Sequence, residues 1–142
     1  MTIAVDFDGT CVSHEFPLVG NDIGSVRVLK KLVDAGHNLI LWTMRSDKKN
    51  VSKEGPIQEN GDLSLDYLTQ AIEWFKTNDI KLYGIQRNPT QDRWTTSPKC
   101  FAEIYIDDAA LGCPLKYDES ISGRPFVDWD EVEKMLIDRK IL

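Results

Sequence analysis

The sequence predicts an α/β fold, a mostly parallel sheet with helices on both faces. Three observations lead there. Short apolar runs alternate with segments of helical periodicity. The runs at residues 1–5 and 38–43 are nearly all apolar, as strands buried on both faces are. Three runs end in polar residues that can converge: Asp6 and Asp8, then Thr43, then Asp107 and Asp108. Ligands of open α/β sheets bind outside the carboxyl ends of the strands, where such residues would stand.

The elements follow in order. Ile3–Phe7 reads as the first strand, and Cys11–Asn21 as an irregular loop containing Pro17 and Gly20. Asp22 is positioned to cap a helix through about Ala35, with Ile23, Val26, Leu29, Leu32 and Val33 on one face. Gly36 ends that helix as a left-handed cap. Asn38–Thr43 is a buried second strand. Residues 45–63 are polar, with turn signals at Gly55-Pro56 and Gly61. Ser64 reads as the N-cap of a helix through about Lys76, lined by Leu65, Leu68, Ile72 and Phe75. Lys81–Ile85 reads as the third strand, followed by a long loop, 86–99, of the length that is more often functional than idle. Glu103–Asp107 reads as the fourth strand and 112–125 as irregular. Asp128 or Asp130 caps a last helix that turns Trp129, Val132, Met135 and Leu136 inward. Trp42 and Trp74 also fit core faces.

Bulk properties limit the function. The 142 residues fit one domain, 1–142, which at this size buries roughly 68–70% of its unfolded surface. Apolar residues make up 42% and charged residues 28%, the balance of an ordinary globular protein. The net charge of −6 offers no basic surplus for nonspecific binding to nucleic acid, though a nucleotide substrate stays open. Cys11, Cys100 and Cys113 are odd in number and lack metal-ligand spacing. With no signal peptide and no membrane-length apolar run, a cytoplasmic location with free thiols is expected.

The converging residues carry the chemistry. Two carboxylates about 4 Å apart repel by about 4 kcal/mol at an effective dielectric of about 20, so four at one edge call for a cation. An oxygen shell without sulfur points to Mg2+. One carboxylate can attack phosphorus, and a second can protonate the leaving oxygen and then activate water. A hydroxyl and a lysine can hold the phosphoryl oxygens.

Asp6-Phe7-Asp8-Gly9-Thr10, Thr43 after an apolar strand, Lys99, and Ile106-Asp107-Asp108 occur in the order seen in the haloacid dehalogenase-like (HAD) hydrolase superfamily, which the chain resembles over residues 6–108. Leu-Trp-Thr-Met-Arg at 41–45 and the stretch 98–108 are similar to small bacterial and phage members. The resemblance implies a Rossmann-like core and a Mg2+-dependent phosphoric monoester hydrolase. It implies that Asp6 is nucleophile and metal ligand, and that Asp8 is general acid/base with its carbonyl on the metal. Thr43 and the amides of Phe7 and Met44 would bind phosphate, and Lys99 would neutralise the transferring group. Asp108 would bind the metal, with Asp107 acting through metal-bound water or by positioning Lys99. An acid at position 8 marks the phosphatases and phosphomutases of that superfamily and not the dehalogenases.

The gaps between these motifs are too short for an inserted cap domain: 36 residues separate Asp6 from Thr43, and 55 separate Thr43 from Lys99. An open site ringed by 11–22, 45–63 and 86–98 is therefore expected. It would admit a phosphorylated metabolite, a nucleotide or a larger phosphorylated substrate, and a partner subunit is also able to close it.

Other readings compete. Lys81 rivals Lys99 but begins a strand, at the wrong edge. Arg45 reads equally as a solvated residue or a phosphate contact. His14 reads as an exposed loop residue or a substrate contact, and His37 as structural. Arg87, Arg93 and Trp94 fit either a substrate rim or the surface. Cys11 and Cys100 read as packing residues. Two further classes use similar groups: a phospho-acceptor regulatory module, disfavoured by the order of Asp, Thr and Lys, and a catalytically idle metal-binding subunit.

Overall fold

The computed structural model describes residues 1–47 and 66–142. Four parallel strands form the main sheet: β1 (Thr2–Val5), β2 (Asn38–Leu41), β3 (Gly84–Ile85) and β4 (Ile104–Ile106), in the order β3-β2-β1-β4. Three helices follow in chain order, α1 (Ser25–Asp34), α2 (Tyr67–Thr77) and α3 (Trp129–Asp138). A small antiparallel pair, β5 (Leu115–Lys116) and β6 (Phe126–Val127), stands apart from the main sheet.

The register sets the site. Val5 lies opposite Leu41 and Ile106, and Leu41 lies opposite Ile85. The strands end level, so the segments starting at Asp6, Trp42, Gln86 and Asp107 leave along one edge. The ladder runs one residue further through Asp6 N–H to the Ile106 carbonyl (3.0 Å), Trp42 N–H to Val5 (2.9 Å) and Gln86 N–H to Leu41 (2.7 Å). β2 and β4 stop short of the polar residues Thr43 and Asp107, whereas β3 is shortened at its other end and begins at Gly84 rather than Lys81.

Side chains alternate across a strand. Ile3, Val5 and Phe7, with Leu39, Leu41 and Ile106, share one cluster with Val28, Leu29 and Leu32 of α1, Ala71 and Phe75 of α2, and Val132 and Leu136 of α3. Phe7 meets Trp74 and Phe75 ring to ring at 5.6 and 6.2 Å. Ala4 and Ile40 alternate to the other face, and both are buried outside that cluster. The expectation of helices on both faces is thus corrected. Among the described residues the three α-helices share one face, and the chain between β3 and β4 covers the other.

That crossover contains a single 3-10 turn, Gln91–Arg93. Buried Gln91 organises it, donating through Nε2 to the carbonyls of Ser97 and Lys99 (both 2.9 Å) and accepting from Phe101 N–H (2.9 Å). Asn88 reaches the Phe101 carbonyl (3.1 Å). Side-chain amides thus satisfy backbone groups that a helix would have paired.

The caps differ in detail. Gly24, at φ 84°, occupies the N-cap position of α1, and Asp22 instead forms a local turn by accepting from Gly24 N–H (2.9 Å). Gly36, at φ 85°, closes α1 as expected, donating to Val33 O while His37 N–H donates to Leu32 O. Of the two candidate caps for α3, Asp128 serves, accepting from Asp130 and Glu131 N–H. Met135 is exposed rather than inward. Ser64 and Leu65, and the turn signals at Gly55-Pro56 and Gly61, lie outside the described residues. Among the described residues no helix is long and apolar enough to cross a membrane.

Candidate active site

The carboxyl edge of the sheet opens into a cleft of about 520 Å³, lined by Asp6, Asp8, His14, Phe16, Thr43, Met44, Arg45, Asp107, Asp108 and Arg124 among others. Its inner end is built by the turn after β1. The Phe7 carbonyl accepts from the N–H groups of Thr10, Cys11 and Val12, folding residues 7–12 back tightly. Gly9 sits at φ 83°, and a Cβ there would lie 2.4 Å from Asp108 Oδ2. Only glycine meets both conditions without displacing Asp108.

Thr10 ties the two acidic segments together. Its hydroxyl donates to Asp6 Oδ2 (3.1 Å) and accepts from the Asp108 backbone N–H (3.0 Å). The Trp129 indole holds the Thr10 carbonyl at 2.7 Å, anchoring the turn to α3. As a result Asp6, Asp107 and Asp108 each place a carboxylate oxygen within 4.8 Å of the other two. Three hard oxygen donors this close suit a divalent cation.

Their electrostatics agree with that. Burial raises the Asp6 carboxyl from 3.8 to about 7, and neighbouring Asp107 and Asp108 add to the rise, against the Phe7 amide and the Thr10 hydroxyl. Burial, followed by Asp107, raises Asp108 as well, while His14 and Arg124 oppose it. A cation at the cluster reverses both rises by favouring the ionised forms.

Asp8 stands apart from this cluster. Both its oxygens accept from Arg45, Oδ2 from Nε and Oδ1 from Nη2, each at 2.7 Å. Arg45 is only 2% exposed, its guanidinium also donating to the carbonyls of Leu18 (2.7 Å), Tyr67 (3.3 Å) and Pro17 (3.5 Å). It lies 5.0 Å from the centre of the Phe7 ring and 5.2 Å from that of Phe16. Of the two readings of Arg45, neither a solvated residue nor a free phosphate contact describes it; it is a buried fork on Asp8.

Thr43 and Met44 lie in the cleft lining, and Met44 is 97% exposed. The Thr43 hydroxyl accepts from Arg45 N–H (3.2 Å). Gln86, at φ 58°, fixes this loop. Its side chain accepts from Thr43 N–H (3.0 Å) and donates to the carbonyls of Thr43 (2.5 Å) and Arg45 (3.1 Å). The Phe7 side chain is fully buried, so only its backbone faces the site.

The structure does not bring Lys99 to the carboxylates. Lys99 lies in a separate pocket with Trp94, Phe101 and Tyr105, its Nζ 5.6 Å from the centre of the Tyr105 ring. The crossover delivers it to the second face of the sheet, beside the start of β4. Arg87 pairs with Asp92, and neither Arg87, Arg93 nor Trp94 lines the cleft. Sequence reasoning passed over Thr10, Gln86 and Arg124 as site residues. Thr10 closes the first motif and was legible there, whereas Gln86 and Arg124 sit in loops with no local signal.

No protein-family model matches the chain, and no curated protein matches it. Among solved structures, one described as a conserved protein coded by a locus from Bacteroides thetaiotaomicron is similar, at 29% identity over 98% of this chain and 91% of that one, with a TM-score of 0.67. The likeness extends the fold described above, a parallel sheet with flanking helices of Rossmann-like type, to a second protein.

Proposed function

We propose that the chain is a Mg2+-dependent phosphoric monoester hydrolase of the HAD type, without a cap domain. The observation that carries this reading is the close approach of Asp6, Asp107 and Asp108 at the carboxyl edge, beside Thr43 and within reach of the turn at Phe7. Asp6, Asp107 and Asp108 would hold the cation, whose positive charge would offset the negative charge of the transferring group. An oxygen of Asp6 attacks phosphorus and the ester P–O bond breaks, leaving an aspartyl-phosphate while Asp8 protonates the departing oxygen. Water then attacks the phosphorus, Asp8 takes its proton, and phosphate leaves Asp6. Thr43 and the amides of Phe7 and Met44 supply donors for the phosphoryl oxygens. The substrate is a phosphorylated metabolite, a nucleotide or a larger phosphorylated molecule. Release of phosphate from an activated aryl phosphate with Mg2+, absent in Asp6→Asn, is the expected result; no release by wild type, or equal release by both, ends the proposal.

A second reading rests on the Asp8–Arg45 fork. Both Asp8 oxygens are engaged, so proton transfer there requires Arg45 to release one of them. A chain whose fork never opens would take up a phosphoryl group on Asp6 and keep it, as a phospho-acceptor regulatory module. An aspartyl-phosphate lasting minutes after acetyl phosphate treatment favours this second reading; turnover within seconds favours the first.

A further inference from the structure

The cleft has a basic side that the hydrolytic steps do not use. Arg124 and His14 both line it, with Arg124 Nη1 3.3 Å from His14 Nδ1. A guanidinium can only donate. In the neutral ring His14 Nδ1 therefore accepts, with the proton on Nε2. The pair presents the remaining N–H groups of Arg124 and one imidazole N–H, all of them donors. Among the described residues neither side chain has a carboxylate within ion-pair distance, whereas Arg27, Lys31, Arg45 and Arg87 each have one.

The backbone that carries Arg124 is held in place before any ligand arrives. Ser122 is buried; its hydroxyl donates to Glu15 Oε1 (2.7 Å) and accepts from Arg124 N–H (3.3 Å). Ser13 donates to the same Glu15 oxygen (3.3 Å), and Asn21 reaches the Ile121 carbonyl (2.8 Å). Val127 N–H, just beyond, bonds the Gly9 carbonyl (2.9 Å). Segments 13–21 and 118–127 thus form one wall, which lowers the ordering cost of binding there.

The cleft has room for more than a phosphoryl group. Its volume of about 520 Å³ falls in the range, roughly 300–1,000 Å³, of pockets for whole small molecules. The acidic cluster and the Arg124–His14 pair line the same cleft, and the guanidinium of the pair has a fork geometry that matches a phosphate.

We infer that His14 and Arg124 form a second anion subsite, and that the substrates are phosphate monoesters carrying a second phosphate on the same molecule. This rests on the phosphatase reading, so the test has one arm that needs turnover and one that does not. In the first, a short alkyl monophosphate and the matching α,ω-bisphosphate are compared with Mg2+ present. Wild type is expected to prefer the bisphosphate at least tenfold in kcat/KM, mostly through KM. Arg124→Ala is expected to cut that ratio below about twofold, and Arg124→Lys to keep part of it. No preference in wild type overturns the inference. So does an equal loss on both substrates in Arg124→Ala, which would place Arg124 on the reacting phosphoryl group. In the second arm, calorimetry with Mg2+ compares an alkylphosphonate with the matching alkane-α,ω-diphosphonate. Tighter binding of the diphosphonate by wild type, lost in Arg124→Ala, supports the subsite even where no hydrolysis occurs; equal binding of the two ligands by wild type overturns it.

Discussion

Burial, more than its acidic neighbours, sets the charge state of Asp6. Its carboxyl is raised from 3.8 to about 7 by burial, then by Asp107 and Asp108. For a group raised on folding, the stabilising contribution is complete below the unfolded value and disappears as pH climbs through the folded one. Without divalent cation, Asp6 thus weakens the fold progressively between about pH 4 and pH 7. A shift of this size corresponds to roughly 4 kcal/mol. Asp6→Asn is expected to melt several degrees above wild type at pH 8 in EDTA, with the gap closing toward pH 4. Mg2+ should raise the wild-type melting temperature more at pH 8 than at pH 5. Calorimetric scans at the two pH values check both, and a gap that does not change with pH contradicts them. Gly9 gives a second test. A methyl group there meets Asp108 Oδ2 at 2.4 Å, at φ 83°. Gly9→Ala is expected to cost about 1–2 kcal/mol in urea denaturation and to weaken Mg2+ binding about tenfold by titration calorimetry.

At the scale of elements, what could be read from the sequence followed local pattern. The apolar runs marked β1, β2 and β4, because a strand covered on both faces needs little polar alternation. Gly36 was legible as a cap, and the cap of α3 was narrowed to Asp128 or Asp130, because capping chemistry is local. The pair β5–β6 was not, since strands of two residues carry no periodicity. The partner of Arg45 was not legible either. Nothing near position 45 in sequence shows that its guanidinium reaches Asp8, 37 residues away. That fork yields the prediction at this scale. Removing one member of a buried pair leaves the other uncompensated, which typically costs 3–5 kcal/mol. Arg45→Met is expected to lose about 3 kcal/mol. Arg45→Met with Asp8→Asn should recover a good part of it, and Arg45→Lys should fall between, having the charge without the fork. A urea double-mutant cycle showing simple additivity would mean that the two side chains do not depend on each other.

Over the whole molecule, topology decides which cation meets the acids. The steps β1 to β2 to β3 move across the sheet in one direction, and right-handed crossovers therefore put α1 and α2 on the same face. The return to β4 must pass β2 and β1, and residues 86–102 make it on the opposite face without an α-helix. Motif order placed Lys99 just before a strand that ends in acids; it could not show that the crossover would leave it beside Tyr105. The cleft instead counts Asp6, Asp8, Asp107 and Asp108 against Arg45 and Arg124, a formal excess of two negative charges that one divalent cation balances. Lys99→Ala is accordingly expected to keep kcat/KM on an aryl phosphate within about threefold of wild type. A lysine in contact with the transferring phosphoryl group would cost far more, since losing one such donor typically lowers kcat by about 10²–10³. A loss of that order in Lys99→Ala would show that residues 86–102 leave the second face during turnover and carry Lys99 around the end of β4 to Asp6. Trp94 would report that movement independently. It is exposed and packs edge-on against Phe101 at 5.4 Å, so its fluorescence would change when substrate and Mg2+ bind. Unchanged fluorescence together with unchanged kinetics would leave neutralisation of the site to the cation and Arg45.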